Sequence, residues 1–189
     1  MKCSISIPRG MEERLLEHLF QNDLEQGAFL FSRALEDTGG ELGIEAVDMY
    51  LVPPEGWTVQ LEFHLEMDDA ERAKIMKMAR DGGFAVVDCH SHPGSRGRVD
   101  FSPSDRSAIT DFAGYAKWKL PGQPYAAMVW GEVSVDAVVW TGDFHEARPV
   151  QEVVVDDGDA TRILVPRGSW FRPLRALGRR KPRARRNGE

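Results

Sequence analysis

Two histidines, His90 and His92, stand one residue apart at the end of a short apolar run, residues 84–90. Successive side chains of a strand point to opposite faces, so a strand would project both imidazoles from one side, about 6–7 Å apart. Imidazole is a common zinc ligand, and Pro93 would end the strand where a site can open to solvent. The pair is therefore a candidate for two ligands of one metal ion.

A catalytic zinc site has three protein ligands and keeps a fourth position for water or substrate. Asp105 can supply the third ligand, because Ser102-Pro103-Ser104-Asp105 indicates the start of a helix that would hold its carboxylate. Asp100 is the rival, but it lies in a loop rich in glycine and arginine. We therefore predict a site formed by His90, His92 and Asp105.

Each part of this pattern also has a simpler explanation. A His-x-His pair arises by chance fairly often, and Ser102-x-x-Asp105 is also typical of a helix N-cap with a carboxylate in the first turn. The cap and the ligand are compatible, because a capped helix would hold the aspartate in place. The other histidines are expected to be surface or structural residues, and the cysteine of the apolar run is expected to face the core: His18, His64, His145 and Cys89.

The segments around these residues alternate between helices and strands. Apolar residues at helical spacing follow Pro8, and capping signals mark two further helices, after Asp68 or Asp69 and after Ser102. Alternating or apolar runs predict strands at 4–7, 25–34, 42–52, 57–66, 84–90, 125–131 and 133–140, with one or two more within 150–165. We expect an α/β or α+β fold with a single mixed sheet flanked by helices.

The composition is typical of a globular protein, with 42% hydrophobic and 29% charged residues. No apolar run is long enough to cross a bilayer and the N-terminus lacks the features of a secretory signal, so we expect no membrane association. The chain has two cysteines, Cys3 and Cys89, and so few indicate a reducing, cytoplasmic compartment.

The net charge of −6 is distributed unevenly. Residues 171–189 hold seven arginines and one lysine against one glutamate, a balance of +7, which leaves −13 for residues 1–170. So acidic a body does not suit a nucleic-acid enzyme. We expect one domain over residues 1–165 and a basic, flexible tail over residues 166–189, which either stays solvated or binds an acidic partner.

The run His-Ser-His-Pro, followed by Ser102-x-x-Asp105 and preceded far upstream by a glutamate before an apolar strand, resembles the JAMM motif of the JAB/MPN metalloproteases. The resemblance covers about residues 8–140, because the order of helices and strands also fits. The loop before Ser102 is longer than in the compact form of the motif. The resemblance implies the cytidine-deaminase-like architecture of that family and one Zn²⁺ per chain, held by His90, His92 and Asp105.

The resemblance also implies two catalytic roles. Glu25 stands where the family places its glutamate and is expected to act as the general base, in preference to Glu13, Glu17 and Glu36. Ser102 is expected to donate a hydrogen bond to the oxyanion of the reaction. Without the resemblance, Glu25 would be read as an ordinary exposed residue at a strand start.

Enzymes of this family mostly cut after the C-terminal glycine of ubiquitin or a ubiquitin-like protein. The small size is similar to that of stand-alone prokaryotic members, some of which are encoded beside E1-like and E2-like proteins, including in antiphage defence systems. The resemblance thus implies a deubiquitinase-like isopeptidase or peptidase with a ubiquitin-like substrate and E1-like and E2-like partners. The alternatives are a peptidase for a sulfur-carrier protein or small peptide, and a non-catalytic MPN scaffold. A nucleic-acid-binding protein that uses the basic tail rests on composition alone.

One aromatic residue outside the motif is a candidate for contact with the substrate. Trp57 follows Pro53-Pro54-Glu55-Gly56, a segment that predicts an exposed loop. An exposed tryptophan beside the site would be an anchor for the substrate, whereas a tight turn would place the ring in the core. The sequence leaves both possibilities open.

Overall fold

The computed structural model describes residues 2–36, 40–141, 146–158 and 160–171. The strands in these ranges are β1 (Cys3–Pro8), β2 (Gly27–Glu36), β3 (Leu42–Leu51), β4 (Trp57–Leu61), β5 (His64–Met67), β6 (Ala85–Ser91), β7 (Tyr125–Trp130), β8 (Val135–Trp140), β9 (Ala147–Pro149), β10 (Glu152–Asp156) and β11 (Thr161–Leu164). The helices are α1 (Arg9–Leu19), α2 (Asp69–Gly82) and α3 (Pro103–Lys119), with 3₁₀ turns at Pro54–Gly56 and Ser169–Phe171.

Nine strands form one mixed sheet in the order β11-β10-β1-β3-β2-β6-β7-β8-β9. β6 lies inside this sheet, antiparallel to β2 and parallel to β7. Helix α1 packs on one face of the sheet, while α2 and α3 pack on the other, so an apolar layer fills each side. This is the mixed α and β class that the sequence predicts.

Strand β6 contains His90, ends one residue before His92 and packs into an apolar layer on each face. Val87 and Cys89 pack into the apolar layer under α1, whereas Val86 packs into the layer under α2 and α3. Because side chains alternate along a strand, Asp88 and His90 share the face of Val86. Cys89 therefore faces the core, and the histidines face the side that α3 covers.

The helix signals in the sequence are confirmed. Asp68 caps α2 by accepting hydrogen bonds from the backbone of residues 70 and 71, and Gly83 ends that helix with φ of 67°. Ser102 caps α3 in a capping box with Asp105. These ends depend on residues within one turn of each other, which is why a linear reading found them.

The expected single strand over residues 57–66 is wrong. The chain turns at Glu62 and Phe63 and forms a hairpin, in which Leu61 pairs with His64. β4 and β5 make a separate two-stranded sheet, so the expectation of a single sheet is corrected as well. Neither turn residue is Gly, Pro, Asn or Asp, and the sequence therefore carried no turn signal at this point.

Several expectations concern residues near the end of the chain or outside the described ranges. Residues 166–171, which the sequence analysis assigns to the tail, pack against β8 and α3, with Ser169 buried. The rest of the expected tail, His145 and part of the Gly39-Gly40 turn lie outside the described residues. None of the helices in the described ranges is long and apolar enough to cross a membrane.

Candidate metal centre

The pairing of β2 with β6 brings Glu25 to the histidines. Gly27 lies opposite His90 in this antiparallel pair. Continuing the register by two residues sets Glu25 opposite His92, and directly opposite residues in an antiparallel pair project from the same face. Glu25 Oε1 lies 3.5 Å from His92 Nε2. The glutamate that the sequence placed 65 residues from the first histidine is thus part of the same cluster.

The hairpin of β4 and β5 holds the backbone of Glu25 from the other side. The Glu25 N–H donates to the Leu61 carbonyl at 3.0 Å, and Gln60 Nε2 donates to the Glu25 carbonyl at 3.0 Å. The Glu25 side chain is 6% exposed. It is therefore a buried and anchored carboxylate, although it precedes the first residue of β2.

Asp105 reaches the histidines from the first turn of α3. The Ser102 N–H donates to Asp105 Oδ2 at 2.6 Å, and the Asp105 N–H donates to Ser102 Oγ at 3.1 Å. Asp105 Oδ2 lies 3.2 Å from His92 Nε2 and 3.5 Å from His90 Nε2. The long loop before α3 spans the required distance, and the aspartate is both a capping residue and a candidate ligand.

The geometry of these three residues fits a metal ion. Their candidate ligand atoms all lie within 4.8 Å of one another. In a tetrahedral zinc site with bonds of about 2.0–2.1 Å, ligand atoms are about 3.3 Å apart, close to the distances from Asp105 to the two histidines. His90 Nε2 is buried and has no hydrogen-bond partner among the described residues, an unsatisfied state that a metal ion would relieve. Asp100, the rival ligand, is exposed and outside this group.

The carboxylates and imidazoles shift one another's protonation. Burial raises the pKa of Asp105, but the close approach of His90 and His92 outweighs burial and holds that pKa well below its usual range. Burial lowers the pKa of His90, yet Asp105, Asp88 and Glu25 raise it further than burial lowers it. Burial also raises the pKa of Glu25, with the two histidines opposing the change. The cluster thus pairs a strongly acidic Asp105 with a Glu25 carboxylate that binds a proton more readily than an exposed glutamate.

A cleft of about 310 Å³ opens beside the cluster, with Glu25, His90 and Asp105 in its wall. Apolar residues of the hairpin and of α3 line it, among them Trp57, Phe63, Met67, Ile109 and Phe112. The cleft joins the candidate metal centre to a surface on which part of a substrate can bind.

Trp57 lies in the wall of this cleft and also packs against the core. Its ring packs closely against the backbone of Gly27: a Cβ added at that position would lie 2.6 Å from the ring atom Cη2. The ring is therefore partly buried in the core and partly open to the cleft, and its contact with a substrate stays a prediction. A side chain at position 27 would therefore require the Trp57 ring to move.

Three cleft residues were not found from the sequence. Asp88 accepts a hydrogen bond from Tyr125 Oη at 3.0 Å and lines the cleft. It stands two residues before His90, and this spacing in a strand could have predicted that the two side chains share one face. Arg72 of α2 lies with its guanidinium carbon 5.7 Å from the centre of the Phe112 ring, an arrangement that only the packing of α2 on α3 creates. Ser104, adjacent to the cap, also lines the cleft.

The two other described histidines are outside the cluster. His18 Nε2 lies 3.1 Å from the Gly27 carbonyl, a structural contact between α1 and β2. His64 is half-buried in the wall of the cleft and lies 2.8 Å from Glu66 Oε1. Neither belongs to a group that could hold a metal ion among the residues described.

Asp88 should make the stability of the metal-free protein depend on pH. Burial raises its pKa from 3.8 to about 6, so the folded state binds a proton where the unfolded state does not. As pH rises from about 4 through 6 that advantage is lost, which costs at most about 3 kcal/mol. Asp88→Asn should lose less stability than wild type as the pH rises from about 4 to about 7, as measured by urea unfolding in chelator.

The exposed variant Asp100→Asn is the control and should follow the wild-type pH dependence. The asparagine at position 88 can still accept the hydrogen bond from Tyr125, so the comparison mainly changes the charge. Parallel pH curves for wild type and Asp88→Asn would contradict the burial of a titrating carboxylate at this position.

No family model matches the chain, and neither does any curated protein. The family resemblance therefore rests on the motif itself. The geometry described above adds that His90, His92 and Asp105 lie close enough together to hold a metal ion.

Proposed function

We propose that this chain is a zinc-dependent peptidase of the JAB/MPN type that releases or processes a ubiquitin-like protein at its C-terminus. The observation that carries the proposal is the convergence of His90, His92 and Asp105 next to a fourth residue, the buried Glu25. Three protein ligands leave the fourth zinc position open for water, and a nearby carboxylate can serve as the general base of hydrolysis. The JAB/MPN architecture, E1-like and E2-like partners, a role in antiphage defence and a cytoplasmic location belong to the same proposal.

The proposed chemistry assigns separate tasks to the four residues. His90, His92 and Asp105 would hold the zinc ion, which when bound lowers the pKa of water toward 7 and polarises a carbonyl. Glu25 Oε1 lies beside His92 and takes a proton from the attacking water, then passes it to the leaving amine. A raised pKa suits this task, because the base must also act as an acid.

Two serines at the start of α3 are candidates for the oxyanion donor. Ser102 Oγ accepts a hydrogen bond from the Asp105 N–H and lies 2.8 Å from Ser104 Oγ. If Ser104 donates in that pair, the Ser102 hydroxyl hydrogen is free to donate to the oxyanion. Ser104 lines the cleft and can donate in its place. We retain Ser102 as the expected donor and add Ser104 as its alternative.

The cleft suits an extended chain terminus with small residues. β4 and β5 each have one strand neighbour in their two-stranded sheet, so a substrate strand can add to an edge of the hairpin. Trp57 covers the backbone at Gly27 and narrows the approach to Glu25. We infer that the residues just before the cut are small, as they are at the end of ubiquitin-like proteins.

A pair of substrates tests the proposal. A folded ubiquitin-like protein that carries a C-terminal extension should be cut with kcat/KM at least about 10-fold above the matching short peptide, because contacts remote from the cut contribute to catalysis. Chelation should abolish both reactions. Equal cleavage of peptide and folded protein would favour the small-peptide or sulfur-carrier alternative. Zinc binding without cleavage of either substrate would favour the scaffold.

A further inference from the structure

A buried carboxylate in β8 holds the backbone of residues 167–169. Asp136 accepts hydrogen bonds from the N–H groups of Arg167, Gly168 and Ser169, each at 2.8 Å. Asp136 is fully buried. Burying a carboxylate costs free energy unless hydrogen-bond donors surround it. Residues 167–170, here named the clasp, are therefore fixed to the sheet at a defined position.

The clasp extends from β8 to the loop and helix that carry Asp105. Ser169 Oγ accepts from the Phe101 N–H at 3.0 Å, and the Ser169 carbonyl accepts from Arg106 Nη2 at 2.6 Å. The Trp170 ring contacts the rings of Phe101 and Trp140 edge to face, with centroids 5.2 Å apart in both pairs. The clasp thus contacts the loop before α3, the first turn of α3 and the sheet.

The clasp contacts the residues on either side of the capping box that Ser102 forms with Asp105. Phe101 directly precedes Ser102, and its ring centroid lies 6.1 Å from that of His90. Arg106 directly follows Asp105. His90 lies in β6, and the His92 N–H donates to the Trp130 carbonyl at the end of β7. Asp105, by contrast, belongs to a helix that follows a long loop. The position of Asp105 therefore depends on the contacts that hold Phe101 before the helix start and Arg106 after it.

We propose that Ser169 and Trp170 are positioning residues for Asp105: the clasp holds the start of α3 so that the carboxylate meets the two histidines before a metal ion binds. The inference rests on the metal site proposed above. Residues that orient a ligand without touching the ion typically change metal affinity by about 10- to 100-fold when they are replaced. The clasp lies about 60 residues from Asp105 in sequence, so that no local signal links them.

Four variants test this role. Trp170→Ala removes the ring, and Ser169→Ala is the milder change, since it removes only one hydroxyl. Trp170→Phe restores an aromatic contact with Phe101 and Trp140. Phe171→Ala is the matched control, because its side chain is the next large one along the chain and is 48% exposed.

Two measurements are made on each full-length variant. Cobalt(II) alone is titrated against the protein, and its visible absorption bands report the ligand arrangement. In metal-free protein, amide exchange by NMR at Ser102 and Asp105 reports the capping box, with the amides of β6 as the reference for global stability. We expect Trp170→Ala to bind cobalt about 10- to 100-fold more weakly and to exchange faster at the capping box alone. Ser169→Ala should show the same change to a smaller extent, and Trp170→Phe and Phe171→Ala should resemble wild type.

Unchanged cobalt affinity and unchanged exchange in both clasp variants would overturn the proposal. Exchange that accelerates equally in β6 would overturn it too, because the clasp would then only stabilise the fold. If Trp170→Ala does not fold, Ser169→Ala decides the question by the same criteria. If wild type takes up no cobalt, the proposed metal site fails, and exchange at the capping box by itself decides whether the clasp positions Asp105.

Discussion

Replacing Glu25 with glutamine is expected to lower kcat by at least about 10²-fold while the bound zinc is retained, the usual scale for loss of a general acid–base group. Glu25 lies outside the three candidate ligands, but its Oε1 is 3.5 Å from His92 Nε2. Glutamine preserves the size of the side chain and its backbone contacts with the hairpin. The measurement is kcat for the extended ubiquitin-like substrate, beside zinc content by elemental analysis.

Glu17→Gln is the control for this experiment, because Glu17 is an exposed glutamate on α1. It should keep both wild-type activity and wild-type zinc content. A Glu25→Gln protein as active as wild type would show that another residue is the base. A Glu25→Gln protein without zinc would show instead that the glutamate is needed to hold the ion.

Replacing Asp105 is expected to remove the bound zinc, whereas replacing Asp100, which also lies near the start of α3, is expected to leave the zinc content unchanged. Wild type should contain about one zinc per chain, and Asp105→Asn should lose nearly all of it, because a neutral amide is a poor ligand for zinc. Asp100→Asn should retain the wild-type content, since Asp100 is exposed and outside the cluster. Elemental analysis after dialysis against a weak chelator measures the difference.

His92→Ala applies the same test to a histidine ligand, and this variant should also lose the metal. Equal zinc in wild type, His92→Ala and Asp105→Asn would exclude this cluster as the binding site. Loss of zinc in Asp100→Asn with retention in Asp105→Asn would assign the third ligand to the rival position. Asparagine can still accept the Ser102 N–H at the helix cap, so the Asp105 variant should remain folded.

The effects of Glu25 and Asp105 are distinguishable because their side chains come from different parts of the fold. Asp105 depends on the start of α3 and on the clasp, whereas Glu25 depends on the pairing of β2 with β6 and on the hairpin. We expect metal content to depend on the contacts that hold Asp105, and turnover to depend on both sets of contacts. Measuring both quantities on each variant therefore separates damage to the ion site from loss of the base.

The sequence by itself determined the features that depend on close neighbours. The one-residue spacing of His90 and His92 in an apolar run placed both on one face of a strand, and Ser102-x-x-Asp105 marked the start of a helix. Strand alternation repeats every two residues and a helix cap spans one turn. Both features can therefore be predicted from residues that are close in the sequence. The three helices and most strands were found for the same reason.

Only the tertiary structure decided which distant residues meet. The register of β2 against β6 sets Glu25 beside His92, and the turn at Glu62 and Phe63, which has no turn signal, makes the hairpin that anchors Glu25. The clasp at Ser169 meets the loop before Asp105 through a hydrogen bond across 68 residues. Strand register and segment docking are selected by the packing of the whole core, and no window of neighbouring residues contains that information.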